Sequence, residues 1–197
     1  MEYLIGLAVG LALSPATVFF AFGKVNLIRE LKSHHKIAVS LLLFMAAMGC
    51  YGIFLHGLSY KFACFIVTVT YLAAVSITDV RKREIVDNAT IFFSIVSLII
   101  LAFSQNLFMI ANGLLGAVLG AMFLGAGHLL RKEAIGLGDV KMFACCGILF
   151  GFPGVFYLLI RALIFVAIFS VVMLIAKKAN LKTEVPFAPF VLLGAII

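Results

Sequence analysis

The residues best suited to chemistry in this sequence are two aspartates in otherwise apolar surroundings. Asp139 stands in "EAIGLGDVKMF" (133–143), between glycines and a lysine, and Asp79 closes the apolar stretch of "YLAAVSITDVRKREIVDN" (71–88). An acid at the edge of a long apolar run is costly to keep in a membrane and marks function by default. Two carboxyls that meet across a helix bundle can share a proton. One takes a proton from water while the other, protonated, polarises a carbonyl. The bland alternative is that each acid pairs with nearby cations, Arg81 or Lys82 for Asp79 and Lys141 for Asp139. Spacing alone leaves open whether the two acids meet.

Other chemistry-bearing residues point elsewhere. Cys50, Cys64, Cys145 and Cys146 all lie in apolar runs without C-x-x-C spacing, so they are expected as small core residues and not as a zinc site or disulfide framework. His34 and His35 fall in a basic loop suited to headgroup contact, and His56 and His128 fall at helix ends as satisfied interfacial side chains. Arg161 lies inside an apolar run and has no role that the sequence assigns. Two carboxylates and water suffice for hydrolysis, so no metal and no organic cofactor is expected.

The elements that must position these residues follow from composition. Hydrophobic residues make up 65% of the 197 and charged ones 12%, with a mean hydropathy of +1.26. A soluble domain carries about 25% charged residues. The long apolar runs also differ from the short alternating segments of a membrane barrel. An all-α integral membrane protein is therefore expected, folded as one domain over 1–197. The apolar runs are 3–23, 37–59, 62–78, 88–104, 107–130, 140–152, 154–176 and 186–197. A span takes about 20 residues, which gives about six spanning helices, with short or broken segments around the G-x-G-D stretch and at the carboxyl-terminal run. The first run lacks a basic lead-in and a clear cleavage site, so it is expected as a retained helix. Glycines in "NGLLGAVLGAMFLGAG" (112–127) recur at the spacing that favours close helix packing.

Basic residues cluster at 24–36, 81–84, 131–141 and 177–182, while the connections near 57–61, 104–106 and 151–154 are nearly free of them. The two kinds of loop alternate, which places every cluster in the cytoplasm and the amino terminus outside. The net charge of +7 therefore belongs to membrane topology, and no nucleic-acid surface is expected. The run 140–152 is short for a crossing, at roughly 20 Å against a bilayer core of about 30 Å. The expectation is that "GLGD" lies below the membrane surface as non-helical backbone lining a wet cavity. Gly136 and Gly138 would permit that backbone and keep the approach to Asp139 open.

"GLGDVKM" resembles the G-x-G-D-x-K signature of the type IV prepilin peptidases, a group of intramembrane aspartyl proteases. "TDVRKREI" is similar to that family's first aspartate segment, "VPFAPF" (185–190) to its late proline-phenylalanine segment, and "KSHHKIAVSLL" to the lead-in to its second helix. The resemblance implies that Asp79 and Asp139 are the catalytic pair, that Gly136 and Gly138 are motif glycines, and that Lys141 is the motif lysine. It further implies cleavage of a short basic leader from prepilin-like or preflagellin-like precursors. The enzyme would sit in the inner (cytoplasmic) membrane as a multi-pass protein with its active site on the cytoplasmic side. Two departures stand out. Val86 replaces the family's usual proline, leaving Asp87 as an expected solvated helix cap. The loop at 24–36 also has none of the paired C-x-x-C motifs of the larger bacterial members, as in a short, peptidase-only type. The rival from another class is a small proton-coupled transporter with the two aspartates as a relay, which calls for inverted repeats with paired broken helices.

Overall fold

The computed structural model describes residues 2–22, 35–104, 106–130, 135–176 and 185–197. Residues 24–34 and 131–134 of the first and third basic clusters, and the whole of that at 177–182, lie outside the described residues, His34 among them, as does the side chain of His35. Seven helices are described: α1 (Glu2–Phe22), α2 (His35–His56), α3 (Tyr60–Lys82), α4 (Asp87–Phe103), α5 (Leu107–Leu130), α6 (Leu137–Ile175) and α7 (Ala188–Ile196). No strand occurs among the described residues. Five of the helices are long and apolar enough to cross a membrane, and α4 is a shorter apolar helix. The chain is an all-α, multi-pass membrane protein.

Small residues hold the layers together. Helices α1 and α2 pack antiparallel, with Gly6 against Gly49 and Gly10 against Met45 so closely that any side chain would strike opposing backbone. The glycines of α5 do the same for α6. A Cβ on Gly113 would lie 2.5 Å from Ile148 O, and one on Gly116 would lie 2.5 Å from Gly147 O. In a bilayer, where lipid tails are as apolar as leucine, such close backbone approach supplies much of the helix association.

Helix α6 is two segments joined by a sharp turn. Gly151 takes φ 61° and ψ −170°, Phe152 is extended, and Pro153 follows. The positive φ is one that glycine adopts without steric cost. Asn112 of α5 fastens the turn, its Oδ1 accepting the Phe152 N–H at 3.2 Å. The direction reverses there. Along α5, Gly127 faces Ile135, Gly120 faces Phe143 and Gly113 faces Ile148, an antiparallel register. Beyond the turn Gly120 also meets Val155, and Phe123 packs edge-to-face on Phe156 at 5.7 Å, so the second segment returns parallel to α5. This explains the short run at 140–152: it is one arm of a hairpin that turns at the end remote from Asp139.

The core around the first arm gathers Tyr71, Leu72 and Val75 of α3, Phe93 of α4, Met142, Phe143, Cys145 and Cys146 of α6, and Ala188 and Val191 of α7. Cys145 and Cys146 are buried core residues, as their apolar setting predicts, whereas Cys50 and Cys64 are only partly buried.

Candidate functional site

Three chain segments converge at one end of the bundle. The first is the last turn of α3. Arg83, in the left-handed region at φ 55°, closes that helix by donating its N–H to Asp79 O at 2.9 Å. Asp79 is only 9% exposed. The second segment is the first turn of α6, which Gly136 caps with extended backbone while Asp139 N donates to Gly136 O at 3.1 Å. The third is "VPFAPF", where Ala188 opens α7.

One hydrogen bond joins the first and third segments: Ala188 N donates to Asp79 Oδ2 at 2.9 Å across 109 residues. The first amide donors of a helix have no partner within it. Pro189, the next residue, has no N–H to offer. The Asp79 carboxylate thus serves α7 as a cap supplied by another helix, at the end where the helix dipole favours negative charge. Phe187, just before, stacks on Phe143 of α6 with ring centroids 5.9 Å apart and planes at 18°. Ile85, six residues after Asp79, lies against the first turn of α6 so closely that a Cβ on Gly138 would meet its Cβ at 3.0 Å. The carboxyls of Asp79 and Asp139 come near enough to interact electrostatically. Between them the structure supplies two carboxyls, one backbone donor and an accessible approach, since Gly136 and Leu137 are exposed.

Several expectations are corrected here. "GLGD" is not a stretch of non-helical backbone. Ile135 and Gly136 lie outside the helix, whereas Leu137, Gly138 and Asp139 form its first turn. Among the described residues only Gly57 and Gly151 are glycines with positive φ. Gly138 is therefore needed for space against Ile85 and not for a left-handed backbone. Gly136 is the cap, and a Cβ there would sit 3.4 Å from Asp139 Oδ2. Asp87 is the first residue of α4 and not its cap, which is Val86. Its carboxylate instead takes Lys141 Nζ at 2.7 Å. Lys141 thus pairs with Asp87, not with Asp139. His128 is a satisfied helix-end histidine, with Nδ1 2.6 Å from Ile135 O. The contact that sequence reasoning missed is Ala188 N–H to Asp79. The signal for it was present, because "VPFAPF" stood out as a segment and its prolines leave few amide donors.

Among the described residues no three His, Cys, Asp or Glu side chains come together in a way that could hold a metal ion.

Residues 66–171 match the type IV leader peptidase family, more than half of the chain, and the chain belongs to that family. It is 26% identical over 144 residues to a prepilin leader peptidase/N-methyltransferase of Bacillus subtilis (strain 168), covering 72% of this chain and 56% of that protein. It is 30% identical over 131 residues to a protein of the same description from Xanthomonas campestris pv. campestris, covering 64% of this chain and 45% of the relative. The chain thus spans about half the length of these curated relatives. No solved structure matches.

Proposed function

We propose that this protein is an intramembrane aspartyl endopeptidase that removes the short basic leader from type IV prepilin-like or preflagellin-like precursors at the cytoplasmic face. Family membership supports the leader-peptidase activity. What supports the aspartyl mechanism is that Asp79 and Asp139 lie at the same end of the bundle, near enough to interact electrostatically, with the backbone donor of Ala188 on Asp79.

In this mechanism the scissile carbonyl lies between the two carboxyls. One carboxylate accepts a proton from water as the oxygen attacks the carbonyl carbon. The other carboxyl, protonated, donates to the carbonyl oxygen, and the tetrahedral intermediate then collapses with a proton passing to the leaving amine. Ala188 N–H fixes the rotamer of Asp79. Ile85 against Gly138 sets the distance between the two aspartate-bearing helix ends. The hydrophobic helix of the precursor lies along the bundle while its basic leader remains at the cytoplasmic surface, so the cut falls between them.

We assign residues 1–197 to one transmembrane protease domain. The transporter reading receives no support from the described residues, where the single broken helix, α6, breaks at the end remote from the aspartates. The test is co-expression with a prepilin-like precursor followed by mass measurement of the product. A shortened product beginning at the hydrophobic helix is expected, retained in the presence of chelators. Proton-coupled uptake without cleavage would favour the rival.

A further inference from the structure

A cavity of about 540 Å³ opens at the end of the bundle opposite the aspartates, between the start of α3, the start of α5, the turn of α6 and the end of α7. Its lining includes two cations, Lys61 and Arg161, with His56 and Asn112 beside them. Arg161 is half-buried, about 12 Å along the second arm of α6 from Pro153. Its Nε donates to Tyr157 O at 3.3 Å, and among the described residues it has no ion pair. The acids are in the wrong place to serve it. Asp79, Glu84, Asp87 and Asp139 belong to the other end, and the described acid at this end, Glu2, is exposed and outside the lining. A cation at membrane depth faces a cavity or a partner, because its cost is otherwise uncompensated. Here the cavity is present and no aspartate or glutamate side chain is among its lining residues.

We propose that this cavity is a binding site for a negatively charged phosphate group, with Arg161 as the principal ligand and Lys61 at the rim. The guanidinium presents a planar fork of donors that matches two phosphate oxygens, and the Tyr157 carbonyl occupies only one of its five N–H groups. Leu101, Met109 and Leu149 make much of the remaining wall apolar, which suits the headgroup and first acyl carbons of an anionic phospholipid from the adjoining leaflet. Free phosphate shares the anionic chemistry but not the apolar part. The volume falls in the range of about 300–1,000 Å³ typical of small-molecule sites.

The experiment uses the full chain in a mild non-ionic detergent, with native mass spectrometry and thermal unfolding after addition of phosphatidylglycerol, phosphatidylcholine or inorganic phosphate. Phosphatidylglycerol is expected to be retained about tenfold better than phosphatidylcholine and to raise the unfolding temperature. Arg161→Gln should bring retention down to the phosphatidylcholine level, while Arg161→Lys should keep part of the preference. Lys61→Gln, at an exposed rim position, should weaken retention without disturbing folding and serves if Arg161→Gln fails to fold. Stabilisation by inorganic phosphate alone, with displacement of the lipid, would assign the same site to a soluble anion. Equal retention of the two lipids without any phosphate effect overturns the proposal. So does a phosphatidylglycerol preference that survives both Arg161→Gln and Lys61→Gln.

Discussion

Gly138 shows how one missing side chain sets the site. Its place in the first turn of α6 is ordinary helix, so what it contributes is room: a Cβ would come 3.0–3.2 Å from three atoms of Ile85. Gly138→Ala is therefore expected to cut cleavage about tenfold and Gly138→Val to abolish it, since overpacking costs about 1–3 kcal/mol and shifts backbone. Adding Ile85→Ala to Gly138→Ala should restore part of the rate, as measured by precursor cleavage in the two single variants and the double. Failure of that rescue would show that the glycine serves something other than clearance. Ala188 is the second such residue. It has no exposed surface, so Ala188→Leu must move the backbone that donates to Asp79. The turnover rate should fall by at least about tenfold with substrate affinity little changed, the pattern expected when an interaction made in the transition state is lost.

At the scale of elements, the sequence revealed α3 and α5 nearly to their ends because each is one continuous apolar run closed by charge or glycine. It also marked 140–152 as too short to cross. The alternation of loops also implied that this run and the next reverse at 151–154; what it could not reveal is that both arms of this unequal hairpin pack on α5. That arrangement depends on Gly113, Gly116 and Gly120 fitting against particular backbone atoms, a pairing that helix periodicity does not encode. The first turn of α6 was misread for a related reason: glycines that permit unusual backbone are also the glycines that permit close packing, and only the neighbour decides between them. The ion pair of Lys141 with Asp87 ties α6 to α4, but both side chains are more than half exposed. Such pairs contribute about 0–1 kcal/mol. Asp87→Asn and Lys141→Ala should each leave cleavage within about threefold of wild type, and a double-mutant cycle on thermal stability should give a coupling below about 1 kcal/mol.

For the whole molecule, the decisive feature is that the end of α3, the start of α6 and the start of α7 lie together while the turn of α6 lies at the other end. The alternation of basic loops had already implied this, because it put 81–84 and 131–141 on one side. Accessible cysteines near 83 and 133 should therefore label from the same face of the membrane, and those near 58, 105 and 153 from the opposite face. Labelling of 83 and 133 from opposite faces would separate the two aspartates and end the protease account. In the proposed mechanism the chemistry needs few polar residues: two acids and one amide donor, from positions 79, 139 and 188 of the chain.

The most direct test of the central claim is cleavage of a prepilin-like precursor by Asp79→Asn, by Asp139→Asn and by the double variant, each first verified as inserted and folded by gel filtration in detergent. Either single change should lower the rate by at least about a thousandfold, and the double change should be little worse, because groups that act as one unit are not additive. Near-normal cleavage by the Asp79→Asn variant would contradict the account and leave Asp139 to act with another acid, Glu84 or Asp87.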